Sequence, residues 1–225
     1  MSKIYSGIVG APVTPFKANG EVDYDTFAKQ INFLIENGVR LIAHSMHIGE
    51  SLNLTEAERK ELAKVLASAA GRRVPTFVHV SYAGTDLAID LATHATKVGN
   101  AGVVMMAPYH WRSGQRAIIE HFTAVADAAG GELIVYNNPD AVQLDLGTET
   151  LEKLIDRIPG MVAIKDKEAI ARLPALAKNY AGSTISAAER PEETLDIIVQ
   201  VIKVGDIVLC AIPFETFAET GLELK

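Results

Sequence analysis

Six short apolar blocks recur along the chain at intervals of about thirty residues, the length of one strand-plus-helix unit. They read GIVGAPVTPF, RLIAHSM, PTFVHVS, GVVMMAP, ELIVYNNP and MVAIKD. Their nearly unbroken hydrophobicity suits parallel strands covered on both faces, because a solvated face would interleave polar residues. The intervening segments carry helical periodicity: Tyr24, Phe27, Ala28, Ile31, Leu34 and Ile35 share one face, as do Leu87, Ala88, Leu91, Ala92 and Ala95, and again Ile118, Ile119, Phe122, Val125 and Ala126. Thr55 followed by Glu58 has the capping-box pattern, and Gly38 and Gly99 punctuate two helix ends. Strict alternation of this kind builds a parallel sheet, either doubly wound or closed as a barrel. The barrel is favoured because polar, reactive side chains sit at the C-terminal ends of several strands and no G-x-G-x-x-G turn follows any of them. The expected class is therefore α/β, a (β/α)8 TIM barrel.

Past Asp166 the alternation loosens. Residues 169–180 fit a helix, 183–187 a short strand, 206–212 another strand and 214–224 a terminal helix, which would bring the strands to eight. The segment LDIIVQVIKVGDIVLC reads two ways: Leu195, Ile198, Val199 and Ile202 allow a helix, while the β-branched density around Gly205 and Asp206 allows a hairpin. A hairpin would leave the seventh and eighth units incomplete or non-standard. The 225 residues fit a single domain, with no internal repeat and no low-complexity linker.

Charge narrows the partners. Against 28 acidic residues stand 21 Lys and Arg, for a net −7, with no basic run, so the footprint of a nucleic-acid binder is missing and small molecules or further copies of the chain are expected instead. No apolar stretch approaches the ~20 residues of a membrane helix. The opening MSKIYSG lacks a signal-peptide core, and the one cysteine, Cys210, cannot form an internal disulfide, so a cytoplasmic protein is expected.

Several residues could carry chemistry. Lys165 closes the apolar strand MVAIKD, where burying an ammonium is costly; there it either pairs with a carboxylate such as Asp166 or presents a neutral amine able to attack a carbonyl. Lys167, two residues on, is the rival amine. Tyr136 ends the neighbouring strand ELIVYNNP and is either an ordinary rim tyrosine or an acid/base within reach of Lys165, while Asn137, Asn138 and Pro139 mark a turn. The loop HSMHIGES offers His44, Ser45, His47 and Glu50 around Gly49, with backbone N–H groups able to receive a carboxylate. His44, His47, His79 and His110 all fall at or just after strand ends, which raises a metal site as an alternative, although no signature of the H-E-x-x-H type supports it. His94 and His121 fall within helices and read as surface or packing residues.

With these residues in hand, the chain resembles the dihydrodipicolinate synthase and N-acetylneuraminate lyase family of class I aldolases. GIVGAPVTPF resembles the family's opening strand, HIGES its G-T-T-G-E loop, APYH its P-Y-Y segment, YNNP its Y-N-x-P motif and VAIKD its Schiff-base lysine strand, over about Gly7 to Asp166 with a continuation to Ala188. The resemblance implies a barrel in which Lys165, rather than Lys167, forms an imine with pyruvate or another 2-oxo acid and Tyr136 moves protons. It further implies that Thr14, His47, Ile48, Gly49, Glu50 and His110 lie around the substrate, that no metal or organic cofactor is needed, and that the chain forms a homodimer or homotetramer. Three departures stand out. His47 and Ile48 replace two hydroxyl residues, His110 replaces the second tyrosine of P-Y-Y, and Asp140, Ala141 and Val142 replace the Gly-Arg-Thr of dihydrodipicolinate synthases, removing an arginine for the second substrate's carboxylate. After Asp166, the segment 173–188 resembles a later helix and strand of the family, as though the seventh strand were missing, and residues 189–225 form an atypical tail.

The expected function is a Schiff-base lyase, aldolase or dehydratase acting on pyruvate or a sugar-derived 2-oxo acid. The alternatives are a barrel that binds 2-oxo acids without turnover and a metal-dependent enzyme built on the four histidines.

Overall fold

The six apolar blocks form six parallel strands. In the computed structural model, which describes Tyr5, residues 7–110 and 112–166, and the backbone pairing of two strands at 200–204 and 207–211, these are β1 (Val9–Gly10), β2 (Leu41–His44), β3 (Thr76–His79), β4 (Gly102–Met105), β5 (Glu132–Asn137) and β6 (Met161–Asp166). They lie side by side in chain order, each parallel to the next. Between them run α1 (Tyr24–Glu36), a 3-10 turn (His47–Gly49), α2 (Glu56–Ala70), α3 (Thr85–Lys97), α4 (Gln115–Ala129), the short α5 (Pro139–Val142) and α6 (Thr148–Arg157). All residues of β2, β3 and β4 are buried, as expected for strands covered on both faces.

The sheet curls. Tyr5, just ahead of β1, donates its hydroxyl to the carboxylate of Glu132 at the start of β5 and meets Phe77 of β3 edge-on, ring centroids 5.8 Å apart. Contacts joining the first, third and fifth strands at their N-terminal ends require those strands to bend around a common interior, as the odd strands of a barrel do. Burial, and then the Glu132 carboxylate, push the Tyr5 phenol well above its ordinary pKa. Gly102 lets β4 and β5 close up: a β-carbon there would fall 2.0 Å from the Glu132 carbonyl oxygen.

Local chemistry sets the helices. Thr55 and Glu58 form the reciprocal cap of α2, with Thr55 N–H donating to the Glu58 carboxylate at 2.8 Å and Glu58 N–H to the Thr55 hydroxyl at 3.3 Å. Phe27 and Ile31 of α1, and Ile118, Ile119, Phe122, Val125 and Ala126 of α4, are buried as their periodicity requires. Leu87 departs from its expected face and is 43% exposed, while Ala88, Leu91, Ala92 and Ala95 pack inward. Buried Asn100 joins layers: its amide donates to the Ala63 and Ala95 carbonyls at 3.0 and 2.9 Å and accepts from the Thr76 hydroxyl at 2.8 Å. Every hydrogen of that amide is thereby used, which a buried amide needs.

The fold is thus that of a (β/α) barrel over six units, and the two strands described beyond β6 depart from the repeat. β7 (Gln200–Val204) and β8 (Ile207–Ala211) pair antiparallel, and β8 joins β6 in parallel through Ala163↔Val208 and Ile164↔Leu209. The hairpin reading of this segment holds, and these two described strands do not extend the βα repeat. The reason is chain length: only Gly205 and Asp206 separate the two strands, whereas a parallel crossover needs a dozen or more residues. Among the described residues the sheet counts eight strands, in the order β1-β2-β3-β4-β5-β6-β8-β7. The helix expected at 169–180, the strand at 183–187, the helix at 214–224, Lys167 and the side chain of Cys210 lie outside the described residues. Among the described residues no helix is long and apolar enough to cross a membrane.

Candidate active site

The ends of β5 and β6 bring the two residues of greatest chemical interest together. A register shift between Leu133 and Ile134 sets Tyr136 opposite Lys165 and Asn137 opposite Asp166. Side chains at paired positions of parallel strands leave the sheet on one face, and the Lys165 Nζ lies 3.8 Å from the centroid of the Tyr136 ring. Tyr136 is 2% exposed, whereas Lys165 is half-buried. A cation over a phenol face is favourable, and it leaves the amine beside a hydroxyl-bearing ring at the open end of two strands.

Around Tyr136 the next residue pair builds a bridge. Asn138, 4% exposed, donates from Nδ2 to the Tyr136 hydroxyl oxygen at 2.9 Å and lies 3.3 Å from His47 Nδ1. The His47 ring stands 5.8 Å from that of Tyr136 and 6.1 Å from that of His79. Asn137 turns the other way: its amide donates to Asp145 at 2.7 Å and to Asp166 at 3.2 Å, and its oxygen accepts from the Leu146 N–H at 3.0 Å. That one side chain ties the loop after β5 to the end of β6 and so holds Tyr136 and Lys165 in place.

A second polar cluster lies at the ends of β2 and β3. The Thr14 hydroxyl donates to the Gly49 carbonyl at 2.7 Å, so its oxygen accepts from His44 Nε2 at 3.2 Å, and His44 Nδ1 then accepts from Ser45 at 3.0 Å. His44 packs against Phe27 of α1, centroids 4.4 Å apart. Burial, with a smaller contribution from the Arg59 charge, lowers its pKa to about 3, so it is neutral. His79 shifts the same way, through burial first and then the Arg59 charge; its Nε2 meets the Ser81 hydroxyl at 2.7 Å. Arg59 of α2, 3% exposed, donates to the His79 carbonyl at 2.8 Å and places its guanidinium 5.1 Å from the Tyr82 ring centroid.

The expected residues thus divide. Asn138 joins Tyr136 to His47, and Lys165 meets the Tyr136 ring directly. Thr14 and Gly49 are joined to one another and to His44, pinning the base of the loop, and a side chain at Gly49 would crowd His44 Nε2 at 3.3 Å. Ile48 packs on the core, and Glu50 sits in the left-handed region at φ 56°, its carboxylate accepting from Asn53 at 3.2 Å. His110 is exposed at φ 84°. Among the described residues no three His, Cys, Asp or Glu side chains are placed to hold a metal ion, so the four-histidine alternative lacks a ligand set; His44 is held by Thr14 and Ser45 instead. Sequence pattern alone does not single out Asn138, which reads as a turn residue, or Arg59, which falls on a helix rich in charge.

A model of the dihydrodipicolinate synthetase family matches residues 4–185. The chain belongs to that family. The 4-hydroxy-tetrahydrodipicolinate synthase of Rhizobium meliloti is 32% identical over 163 residues, covering 72% of this chain and 55% of the relative. That of Acidiphilium cryptum is 34% identical over 166 residues, covering 74% and 56%. Among solved structures, the 4-hydroxy-tetrahydrodipicolinate synthase of Methylacidiphilum fumariolicum superposes with a TM-score of 0.72 at 29% identity, over 76% of this chain and 56% of that one. YagE, a prophage protein of the dihydrodipicolinic acid synthase family from E. coli K12 in complex with pyruvate, gives 0.73 at 28% identity, over 80% and 61%. This dihydrodipicolinate synthetase family chain therefore spans a little over half the length of the relatives it matches. The family match over residues 4–185 contains β1 to β6 and both members of the Tyr136–Lys165 pair.

Proposed function

We propose that the chain forms a Schiff base between Lys165 and the keto carbon of pyruvate or a sugar-derived 2-oxo acid, and acts as a class I lyase, aldolase or dehydratase. The observation that carries this reading is the Lys165 amine seated 3.8 Å from the centroid of the Tyr136 ring, at paired positions on β5 and β6, in a chain of this family. In the proposed sequence the neutral amine adds to the carbonyl, a proton passes from the nitrogen to the oxygen to give the carbinolamine, its hydroxyl takes a further proton and departs as water, and the resulting iminium draws electrons from C3 so that a proton or a carbon substituent can depart. Tyr136 supplies and removes the protons. The loop carrying His47 receives the substrate carboxylate. Replacement of the arginine-bearing turn after Y-N-x-P by Asp140, Ala141 and Val142 argues against a second substrate with its carboxylate at that place.

Borohydride reduction in the presence of pyruvate tests the reading. Mass spectrometry is expected to find the reduced adduct on Lys165, and Lys165→Ala is expected to abolish it. An adduct that persists in that variant overturns the assignment. An adduct that forms and is never released as product in any steady-state assay would instead identify a barrel that binds 2-oxo acids without turnover.

A further inference from the structure

We propose that Asn138 is a positioning residue that fixes the tautomer of His47 and the direction of the Tyr136 hydroxyl together, so that His47 serves as a neutral Nε2–H donor rather than as a proton shuttle. The proposal rests on the Schiff-base reading for its consequence and on geometry alone for its premise. The Asn138 Nδ2 carries two hydrogens and no lone pair available for acceptance. It lies 2.9 Å from the Tyr136 oxygen and 3.3 Å from His47 Nδ1, so both of these atoms accept. Which imidazole nitrogen holds the proton is set by the hydrogen bond that the other nitrogen makes. An Nδ1 that accepts leaves the proton on Nε2, and adding a second proton at Nδ1 would set two N–H groups against each other inside a site where Asn138 is 4% exposed. A shuttle has to pass through that doubly protonated state; a hydrogen-bond donor to a carboxylate does not.

The same amide directs Tyr136. Its N–H occupies one lone pair of the phenol oxygen, so the O–H points away from Asn138, and the oxygen keeps a donor whether the phenol is neutral or ionised. Holding that charge-assisted bond through proton transfer is what a positioned acid/base requires. Asn138 therefore assigns distinct tasks to two neighbours: Tyr136 moves protons, and His47 orients the substrate.

Two variants test this by two readouts. In long-range proton–nitrogen correlation spectra, with the His47 signals assigned by their loss in His47→Gln, the wild-type ring is expected as the Nε2–H tautomer. Asn138→Leu, close in size and without a donor, is expected to lose the preference, and Asn138→Asp, an acceptor of the same shape, to reverse it to Nδ1–H. On the fraction of protein carrying the pyruvate adduct, exchange of the C3 hydrogens with heavy water is expected to slow about tenfold in Asn138→Leu, the rate equivalent of one lost hydrogen bond. A wild-type ring protonated at Nδ1, a tautomer unmoved by both substitutions, or exchange at the wild-type rate overturns the proposal. Where the wild type traps no adduct at all, the Schiff-base reading fails and the tautomer measurement alone decides the role of Asn138.

Discussion

His44 closes β2 and Tyr136 lies one residue from the end of β5, and both are polar rings buried almost completely, at 1% and 2% exposure. Their surroundings differ. Both ring nitrogens of His44 are taken up by Thr14 and Ser45, side chains from its own end of the sheet, and burial keeps it neutral. Tyr136 receives an N–H from Asn138 on one side and faces a half-buried amine on the other. A polar group whose ring nitrogens are both taken up within the fold stabilises a loop; a ring held by one amide and set against an amine is, on the proposed function, the one placed for proton transfer. The contrast separates scaffold from chemistry where residue type alone would not.

The sharpest way to break this contrast is Tyr136→Phe. Loss of a positioned general acid/base costs roughly 10²–10⁴-fold in rate, so exchange of pyruvate C3 hydrogens, followed by proton resonance in heavy water, is expected to fall by that factor while the ring still fills its place. A loss of less than about threefold would move Tyr136 to the scaffold side.

Acid should act on the other end. With a folded pKa of about 3 against an ordinary 6.5, His44 stays neutral while the unfolded chain takes up a proton below about pH 6.5. The unfolded state then binds more protons than the folded one, and stability falls as pH drops from 6.5 towards 3, by on the order of 5 kcal/mol over the whole window and by nothing above it. His79 pulls in the same direction. Urea unfolding at pH 7.5, 6 and 4.5 is expected to show this slope, flattened in His44→Gln; equal slopes in the two proteins would contradict the buried neutral histidine.

Much of this is legible in the amino-acid pattern. Unbroken apolar blocks locate β2 to β6 because strands buried on both faces tolerate no polar interleaving, and Lys165 stands out because an ammonium at the end of such a strand needs a reason. The hairpin of β7 and β8 is ambiguous at that level, since a β-branched run of that length satisfies both periodicities; the two-residue connection decides it. Asn138 escapes notice because an asparagine before proline reads as turn chemistry, and its role depends on a ring 91 residues away in sequence. Arg59 escapes for a related reason: on α2 it has charged neighbours at Glu58 and Lys60, and only the packing of Tyr82 and the His79 carbonyl shows that it points inward. Thr14 and Gly49 fall in segments expected near substrate, yet the Thr14 hydroxyl is taken up by the Gly49 carbonyl and by His44.

A smaller perturbation sharpens the comparison from the scaffold side. Thr55 caps α2, and α2 carries Arg59 to the end of β3, together with the buried Leu62 and Leu66. Thr55→Ala removes the hydroxyl that accepts the Glu58 N–H and that itself donates to the Glu58 carboxylate at 2.7 Å, leaving only the backbone N–H of residue 55 on that carboxylate. Loss of such a cap costs about 1 kcal/mol, which for a chain of this size lowers the thermal midpoint by roughly 2–4 °C. Arg59 lies one turn beyond the cap, so fraying of the first turn loosens its hold on the His79 carbonyl without touching the β5–β6 pair. The expected outcome is a shifted midpoint with the yield of reduced Lys165 adduct per folded molecule unchanged. A yield that fell together with the midpoint would mean that strain at β3 reaches Tyr136 through His79 and His47, and the two clusters would have to be treated as one.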